Sequence, residues 1–128
     1  NATDWVEVQE DLKDLHIGCF GASTGAAAAI VAAARRPEAL KAVVSRGGRP
    51  DLAGNSLSEI LAPVLLIVGG EDTQVIEMNQ TALQVIRAEK KMEIVPGATH
   101  LFEEAGTLEQ VAHLAADWFS RYLDRGDE

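Results

Sequence analysis

The chain has 128 residues, of which 47% are hydrophobic and 24% charged, a composition typical of a globular domain rather than of a disordered chain. The formal net charge of −9 repels phosphate backbones and anionic lipid, so we expect neither nucleic acid nor a membrane as partner. The most apolar run, residues 26–34, is far shorter than the roughly 20 residues of a membrane span.

The start of the chain and its cysteine content bear on location. The opening residues lack the basic and apolar regions of a signal peptide, and Cys19 is the single cysteine, so no internal disulfide can form. Both features favour the cytoplasm. Residue 1 is Asn1 rather than Met, so we expect the chain to be processed or cut from a longer protein.

Apolar periodicity predicts helices that alternate with short strands. An amphipathic helix is predicted over residues 4–15, with Asp4 and Glu7 as a capping box, and a final helix is predicted to begin with Thr107 as its cap and Gln110 as reciprocal partner. The other predicted elements are strands at 16–20, 40–45, 64–68 and 92–95, helices at about 24–36 and 74–89, and a short helical turn within 51–59.

This alternation predicts an α/β fold. Continuous apolar strands between helices are typical of a parallel sheet that is covered on both faces, with right-handed crossovers. We therefore expect a three-layer sandwich with a mainly parallel sheet of about four strands. Residues 1–128 are expected to form a single, partial domain of this kind.

Residues 21–25, Gly-Ala-Ser-Thr-Gly, lie between a predicted strand and a predicted helix. A G-x-S-x-G sequence in this position is typical of a nucleophile elbow, a sharp turn that exposes the serine at the carboxyl edge of the sheet. Ser23 is therefore the candidate nucleophile. The backbone N–H of Thr24, at the start of the helix, is the candidate oxyanion donor. A structural glycine turn is the alternative interpretation.

Two further residues fit a serine nucleophile, which needs a base and an acid that orients the base. Asp72 follows the strand predicted at 64–68, and His100 follows the last predicted strand. Open α/β sheets place their sites at this edge, and the chain order Ser, Asp, His is the one expected for this fold. Asp72 could instead only cap the following helix, with Glu71 as the competing acid, and His100 could be an ordinary loop histidine.

These segments resemble the C-terminal half of the α/β-hydrolase superfamily, nearest to its dienelactone hydrolase-like members, over about residues 16–119. The matching segments are residues 21–25, 63–69 (Pro-Val-Leu-Leu-Ile-Val-Gly), 72–75 (Asp-Thr-Gln-Val) and 96–102 (Pro-Gly-Ala-Thr-His-Leu-Phe). The resemblance implies that Ser23 is the nucleophile, His100 the general base and then acid, and Asp72 the orienting carboxylate. Dienelactone hydrolases usually carry cysteine at the elbow, so serine here favours a general ester or acyl substrate.

The resemblance also implies that strands preceding the elbow strand are missing. The missing segment normally supplies the second oxyanion donor, and without it the elbow strand, residues 16–20, is expected to be an exposed sheet edge. We therefore expect a partner, either the missing N-terminal half or a second copy in a homo-oligomer.

Other polar residues receive weaker predictions. Arg46 and Arg49 follow the strand at 40–45 and are candidates to bind an anionic acyl group, although solvated loop charges are the commoner outcome. Cys19 is expected to be a small buried residue. The acidic residues and the three histidines show no metal-ligand spacing, so no metal and no cofactor is expected.

Two functions compete with hydrolysis. One is a half-domain that keeps the triad residues but acts as an inactive assembly module. The other is an NADP-binding domain similar to short-chain dehydrogenases, in which residues 21–25 bind phosphate and Arg46 meets a 2′-phosphate. The second alternative leaves Asp72 and His100 unexplained, and Tyr122 lies too near the end of the chain for that family's Tyr/Lys pair.

Overall fold

A computed structural model describes residues 6–11 and 16–123. The strands are β1 (Val6–Asp11), β2 (His16–Ala22), β3 (Leu40–Arg46), β4 (Val64–Gly69) and β5 (Lys90–Val95). The helices are α1 (Thr24–Arg35), α2 (Ser56–Glu59), α3 (Thr73–Val85) and α4 (Thr107–Leu123), with a 3₁₀ turn at Pro50–Ala53.

The five strands form one sheet in the order β1-β2-β3-β4-β5. The strands β2 to β5 are parallel, and β1 runs antiparallel to β2. The predicted α/β class with a mainly parallel sheet is therefore confirmed. Because parallel strands end at the same edge, the residues that follow β2, β3, β4 and β5 meet along one rim of the molecule.

The sheet is covered on both faces, and β4 shows how. All six of its residues are buried. Its side chains alternate between two apolar clusters, because successive residues of a strand point to opposite faces. Val64 and Leu66 pack with residues of α1, α2 and α3, whereas Leu65 and Ile67 pack with residues of α4. Three helices on one face and one on the other complete the predicted three layers.

Helix α1 packs closely on the sheet because its buried face is built from small residues. Ala26, Ala29 and Ala33 are fully buried, and Ile30 is the large side chain that fills the space between them. Alanine also has the highest helix propensity, so composition and packing favour the same element. The close packing brings the start of α1 directly against the end of β2.

The predicted helix over residues 4–15 is wrong in its described part. Residues 6–11 form strand β1, whose Val8 lies opposite Cys19 of β2. Pairing with the edge of β2 gives these residues backbone hydrogen bonds between strands, and these outweigh the local preference for a helix. The elbow strand β2 is consequently not the exposed edge that was expected, since β1 covers it. Asp4 and residues 12–15 lie outside the described residues.

The predicted capping box at Thr107 is also wrong. Thr107 is the first residue of α4, not the cap before it, and its hydroxyl donates to the carbonyl oxygens of Phe102 (2.9 Å) and Glu104 (2.8 Å). The side chain therefore ties the start of α4 to the preceding loop. Among the described residues, no helix is both long and apolar enough to span a bilayer.

Candidate active site

Ser23 lies at the sharp turn between β2 and α1. Its backbone has φ 54° and ψ −125°, a left-handed conformation that is strained for any residue other than glycine. The turn is this tight because Gly21 carries no side chain: an added Cβ would lie 2.7 Å from the Cα of Ala26 and would also collide with the backbone oxygen of Gly25. The local geometry is that of the predicted elbow.

A continuous hydrogen-bonded chain joins three side chains at the rim. Ser23 Oγ lies 3.1 Å from His100 Nε2, and His100 Nδ1 lies 2.9 Å from Asp72 Oδ2. An ionised carboxylate can only accept, so His100 carries its proton on Nδ1 and leaves Nε2 to accept the serine proton. The structure thus brings together three residues that are 49 and 28 positions apart in the sequence, at the ends of three parallel strands.

Asp72 immediately precedes α3, but it does not cap that helix through its side chain. Its carboxylate binds His100 instead, and 17% of the side chain is exposed, compared with 40% for His100. The partly buried position strengthens the bond between them, because the surrounding dielectric is lower than that of water. Glu71, the competing acid, is exposed.

The loop that carries His100 is fastened on both sides of the histidine. The backbone N–H and the hydroxyl of Thr99 donate to the carboxylate of Glu104 at 3.0 and 2.8 Å. Phe102 is 1% exposed and has φ 56°, so this strained residue is held by burial in the cluster beneath α4. The sequence did not predict Glu104, and Phe102 entered only as part of the matching segment 96–102, because no local pattern shows that these two residues hold the loop.

The pairing of Glu104 with Thr99 gives the loop a pH dependence. These hydrogen bonds, the backbone one first, hold the pKa of the Glu104 carboxyl below its ordinary value of 4.5. A depressed folded-state pKa means that the stabilisation is complete above the ordinary value and is lost as the pH falls through the lower folded-state value. We expect the protection of the Thr99 amide, relative to its intrinsic exchange rate, to be complete above pH 4.5 and to be lost as the pH falls through the lower folded-state pKa of Glu104.

Hydrogen-exchange NMR across this pH range checks the prediction. In Glu104→Ala the Thr99 amide should exchange at close to its intrinsic rate at every pH. Glu103→Ala, at the exposed neighbouring position, should behave as the unmodified chain. Equal protection of Thr99 in both variants would show that the Glu104 carboxylate does not hold the loop.

Thr24 is the first residue of α1, so its backbone N–H lies at the start of the helix, directly after Ser23. This is the position from which the sequence predicted an oxyanion donor next to Ser23. The role itself stays a prediction. The positive end of the helix dipole lies at the same point and favours negative charge there.

The two candidate substrate arginines have different surroundings. Arg46 is half-buried, and its guanidinium lies over the ring of Phe102, 5.4 Å from the centroid. Desolvation lowers the pKa of Arg46. Arg49 forms a two-point contact with the carboxylate of Asp51, at 3.1 and 2.9 Å, and this hydrogen bonding raises the pKa of Arg49. Substrate binding by either arginine stays a prediction.

Cys19 is buried in the apolar cluster between the sheet and α1, as expected for a small apolar residue. Burial raises the pKa of its thiol, which disfavours the reactive thiolate form. The elbow position is held by serine, and the nearby cysteine is a packing residue.

Comparison with known proteins agrees with this geometry. Residues 1–124 match the dienelactone hydrolase family. A dienelactone hydrolase from Anabaena variabilis is 59% identical and superimposes with a TM-score of 0.81, over 82% of this chain and 49% of that one. An esterase domain of a Rhodothermus marinus protein shares the fold at 24% identity, with a TM-score of 0.71 over 80% of this chain and 59% of that one.

Curated relatives from two Mycobacterium tuberculosis strains, CDC 1551 / Oshkosh and H37Rv, are 59% identical over 96% of this chain, and each is described as a putative phosphoribosyl transferase. The chain spans 28% of the length of these relatives and about half of the Anabaena enzyme. The family match covers nearly the whole sequence and agrees with the α/β-hydrolase fold observed here. The chain therefore belongs to the dienelactone hydrolase family.

Proposed function

We propose that this chain carries the catalytic residues of a serine-dependent hydrolase that acts on a small ester or acyl substrate. The observation that carries the proposal is the hydrogen-bonded chain from Ser23 through His100 to Asp72, with distances of 3.1 and 2.9 Å. Family membership supports a hydrolase independently. The strained backbone of Ser23 supports a functional role, because such strain persists mainly where a site requires it.

The reaction proceeds in two halves. His100 Nε2 takes the proton of Ser23 Oγ as the oxygen attacks the acyl carbon, and the resulting oxyanion accepts a hydrogen bond from the N–H of Thr24. His100 then gives its proton to the leaving alkoxide, the bond between acyl carbon and leaving oxygen breaks, and an acyl-serine remains. Water, deprotonated by His100, attacks this ester and releases the acid while the proton returns to Ser23. Asp72 stabilises the imidazolium of His100 each time it forms.

The residue type at the elbow bears on the substrate class that we propose. Dienelactone hydrolases usually carry a cysteine at the elbow, whereas this chain has Ser23 there. A serine paired with a neutral histidine is the arrangement of general esterases. The serine therefore favours a general ester or acyl compound as substrate over a lactone.

The proposal includes a partner for the site. The chain spans 49% of the Anabaena enzyme, so about half of that fold has no counterpart in these residues. We expect either the missing N-terminal half or a second copy to contribute a further oxyanion donor. The absence of one donor typically lowers turnover on the order of a hundred- to a thousandfold. A stable monomer with full activity, by light scattering and substrate assay, would remove the partner from the proposal.

The name of the curated relatives suggests another activity, phosphoribosyl transfer. The matching segment is 28% of each of those proteins, so that activity can belong to residues outside it. The Ser23–His100–Asp72 arrangement is suited to acyl transfer, which favours hydrolysis for this segment. An inactive assembly module remains the second candidate, favoured by the partial coverage of the fold.

Reaction with a fluorophosphonate, followed by intact-mass measurement, tests the proposal. We expect one adduct on the unmodified chain, one on Ser58→Ala, and none on Ser23→Ala. Ser58 is a suitable control because its hydroxyl donates to the carbonyl of Asn55, away from the triad. A folded chain that forms no adduct would favour the assembly module, and an adduct that persists in Ser23→Ala would place the reactive group elsewhere.

A further inference from the structure

Arg46 occupies the middle of the rim that carries the site. It is the last residue of β3, and in the sheet it lies opposite Ala22 of β2 on one side and Ile67 of β4 on the other. Its carbonyl oxygen accepts a hydrogen bond from the N–H of Ser23 at 3.3 Å. The backbone of Arg46 therefore contacts the elbow directly.

The side chain of the same residue contacts the loop that carries His100. Its Nη1 donates to the carbonyl oxygen of Leu101 at 3.4 Å, and the guanidinium lies over the ring of Phe102 at 5.4 Å from the centroid. Leu101 and Phe102 are the two residues that follow His100. Gly47 follows Arg46 and lies close to the histidine, since a Cβ added there would be 3.4 Å from His100 Nδ1.

We infer that Arg46 is a positioning residue, whose side chain holds the His100 loop at the distance from the elbow that keeps His100 Nε2 within reach of Ser23 Oγ. The inference rests on the proposed roles of Ser23 and His100. It assigns Arg46 to the geometry of the base rather than to the binding of an anionic acyl group, for which the sequence made it a candidate.

The chemistry of arginine suits this role. A planar guanidinium can stack on an aromatic ring and donate an N–H in its own plane at the same time, which a lysine ammonium does not reproduce. Phe102 provides a fixed surface because it is buried. Thr99, which comes directly before His100, is held separately by its hydrogen bonds to Glu104. The Glu104 contacts therefore restrain the loop before His100, and Arg46 restrains it after His100.

The experiment compares Arg46→Met and Arg46→Lys with the control Arg36→Met. Methionine keeps an apolar stem over Phe102 but cannot donate to Leu101. Arg36 is exposed, and its side chain forms an ion pair with Glu38 at the opposite end of α1 from Ser23. Thermal melting of each variant first establishes that it is folded.

With a neutral fluorophosphonate, we expect Arg46→Met to react roughly ten- to a hundredfold more slowly than the unmodified chain, because small displacements of a base cost this much. Lysine should not restore the rate, and Arg36→Met should leave it unchanged. With ester substrates, kcat should fall while KM stays constant for neutral and anionic acyl groups alike. An unchanged rate with the neutral probe, or a rise in KM confined to anionic esters, would overturn the inference.

A measurement that does not need a reactive serine separates this inference from the proposed function. Proton–nitrogen NMR reads the side-chain signals of His100 and the exchange of the Phe102 amide. Arg46→Met should shift the former and accelerate the latter even if the unmodified chain forms no adduct. Unchanged signals and exchange in Arg46→Met would overturn the positioning role whatever the outcome at Ser23.

Discussion

Asp72→Asn is expected to lower the rate of reaction at Ser23 on the order of 10⁴-fold, the size of effect seen when the orienting carboxylate of such a triad becomes an amide. The carboxylate accepts from His100 Nδ1 at 2.9 Å and thereby selects the tautomer whose Nε2 can take the serine proton. An amide NH₂ in this position favours the opposite tautomer, with the proton on Nε2. The measurement is the second-order rate of fluorophosphonate labelling, read by intact mass.

The neighbouring acid provides a matched control. Glu71 is exposed, and Glu71→Gln should label at the rate of the unmodified chain. The fold should survive in Asp72→Asn, because the carboxylate does not cap α3. Labelling of a folded Asp72→Asn variant within tenfold of the unmodified chain would show that Asp72 does not activate His100.

Gly21→Ala is expected both to destabilise the protein and to slow the labelling of Ser23 on the order of a hundredfold. The added methyl carbon would lie 2.7 Å from the Cα of Ala26, and backbone atoms cannot move aside as a flexible side chain can. Overpacking of this kind costs about 1–3 kcal/mol. Because α1 must move away from β2 to relieve the contact, Ser23 moves with it, and a shift of about 1 Å can lower the rate on the order of a hundredfold.

Urea unfolding and the labelling rate together check this prediction. Gly54→Ala separates steric conflict from backbone strain, since Gly54 has φ 59° but no atom within 4 Å of an added Cβ. Strain alone should cost roughly 1–3 kcal/mol there and leave the labelling rate unchanged. A Gly21→Ala chain with the stability and reactivity of the unmodified chain would contradict the steric account of the elbow.

The parallel part of the fold could be predicted from the sequence because its signals are local. The strand β4 is an uninterrupted apolar run that needs burial on both faces, and α1 is so rich in alanine that only a close-packed interior helix fits it. The three residues of the hydrogen-bonded chain could be located for the same reason, because each follows a strand whose direction was already fixed by the alternation of elements.

Features that depend on distant partners could not be predicted. Val6 and Val8 alternate with polar residues, which also fits a strand, but only pairing with β2 decides between strand and helix. Thr107 has the type and spacing of a cap, yet its hydroxyl reaches two carbonyls of the preceding loop. Arg46 is 55 positions from the Leu101 carbonyl that it contacts. No local pattern contains such information.

The location of His100 just beyond β5 has a consequence for how reactivity develops as the chain folds. Within the described residues β5 pairs with β4 alone, and most residues of β5 are exposed or half-buried, so it is the parallel strand with the least tertiary support there. Sheet edges of this kind open more readily than central strands. Under the proposed function, the turn that presents Ser23 depends on β2 and α1, whereas its reactivity also requires β5 to be docked so that His100 is in place. If Ser23 acts as proposed, its labelling would report the completion of the sheet, and a nascent or partly opened chain would carry the serine in a latent form.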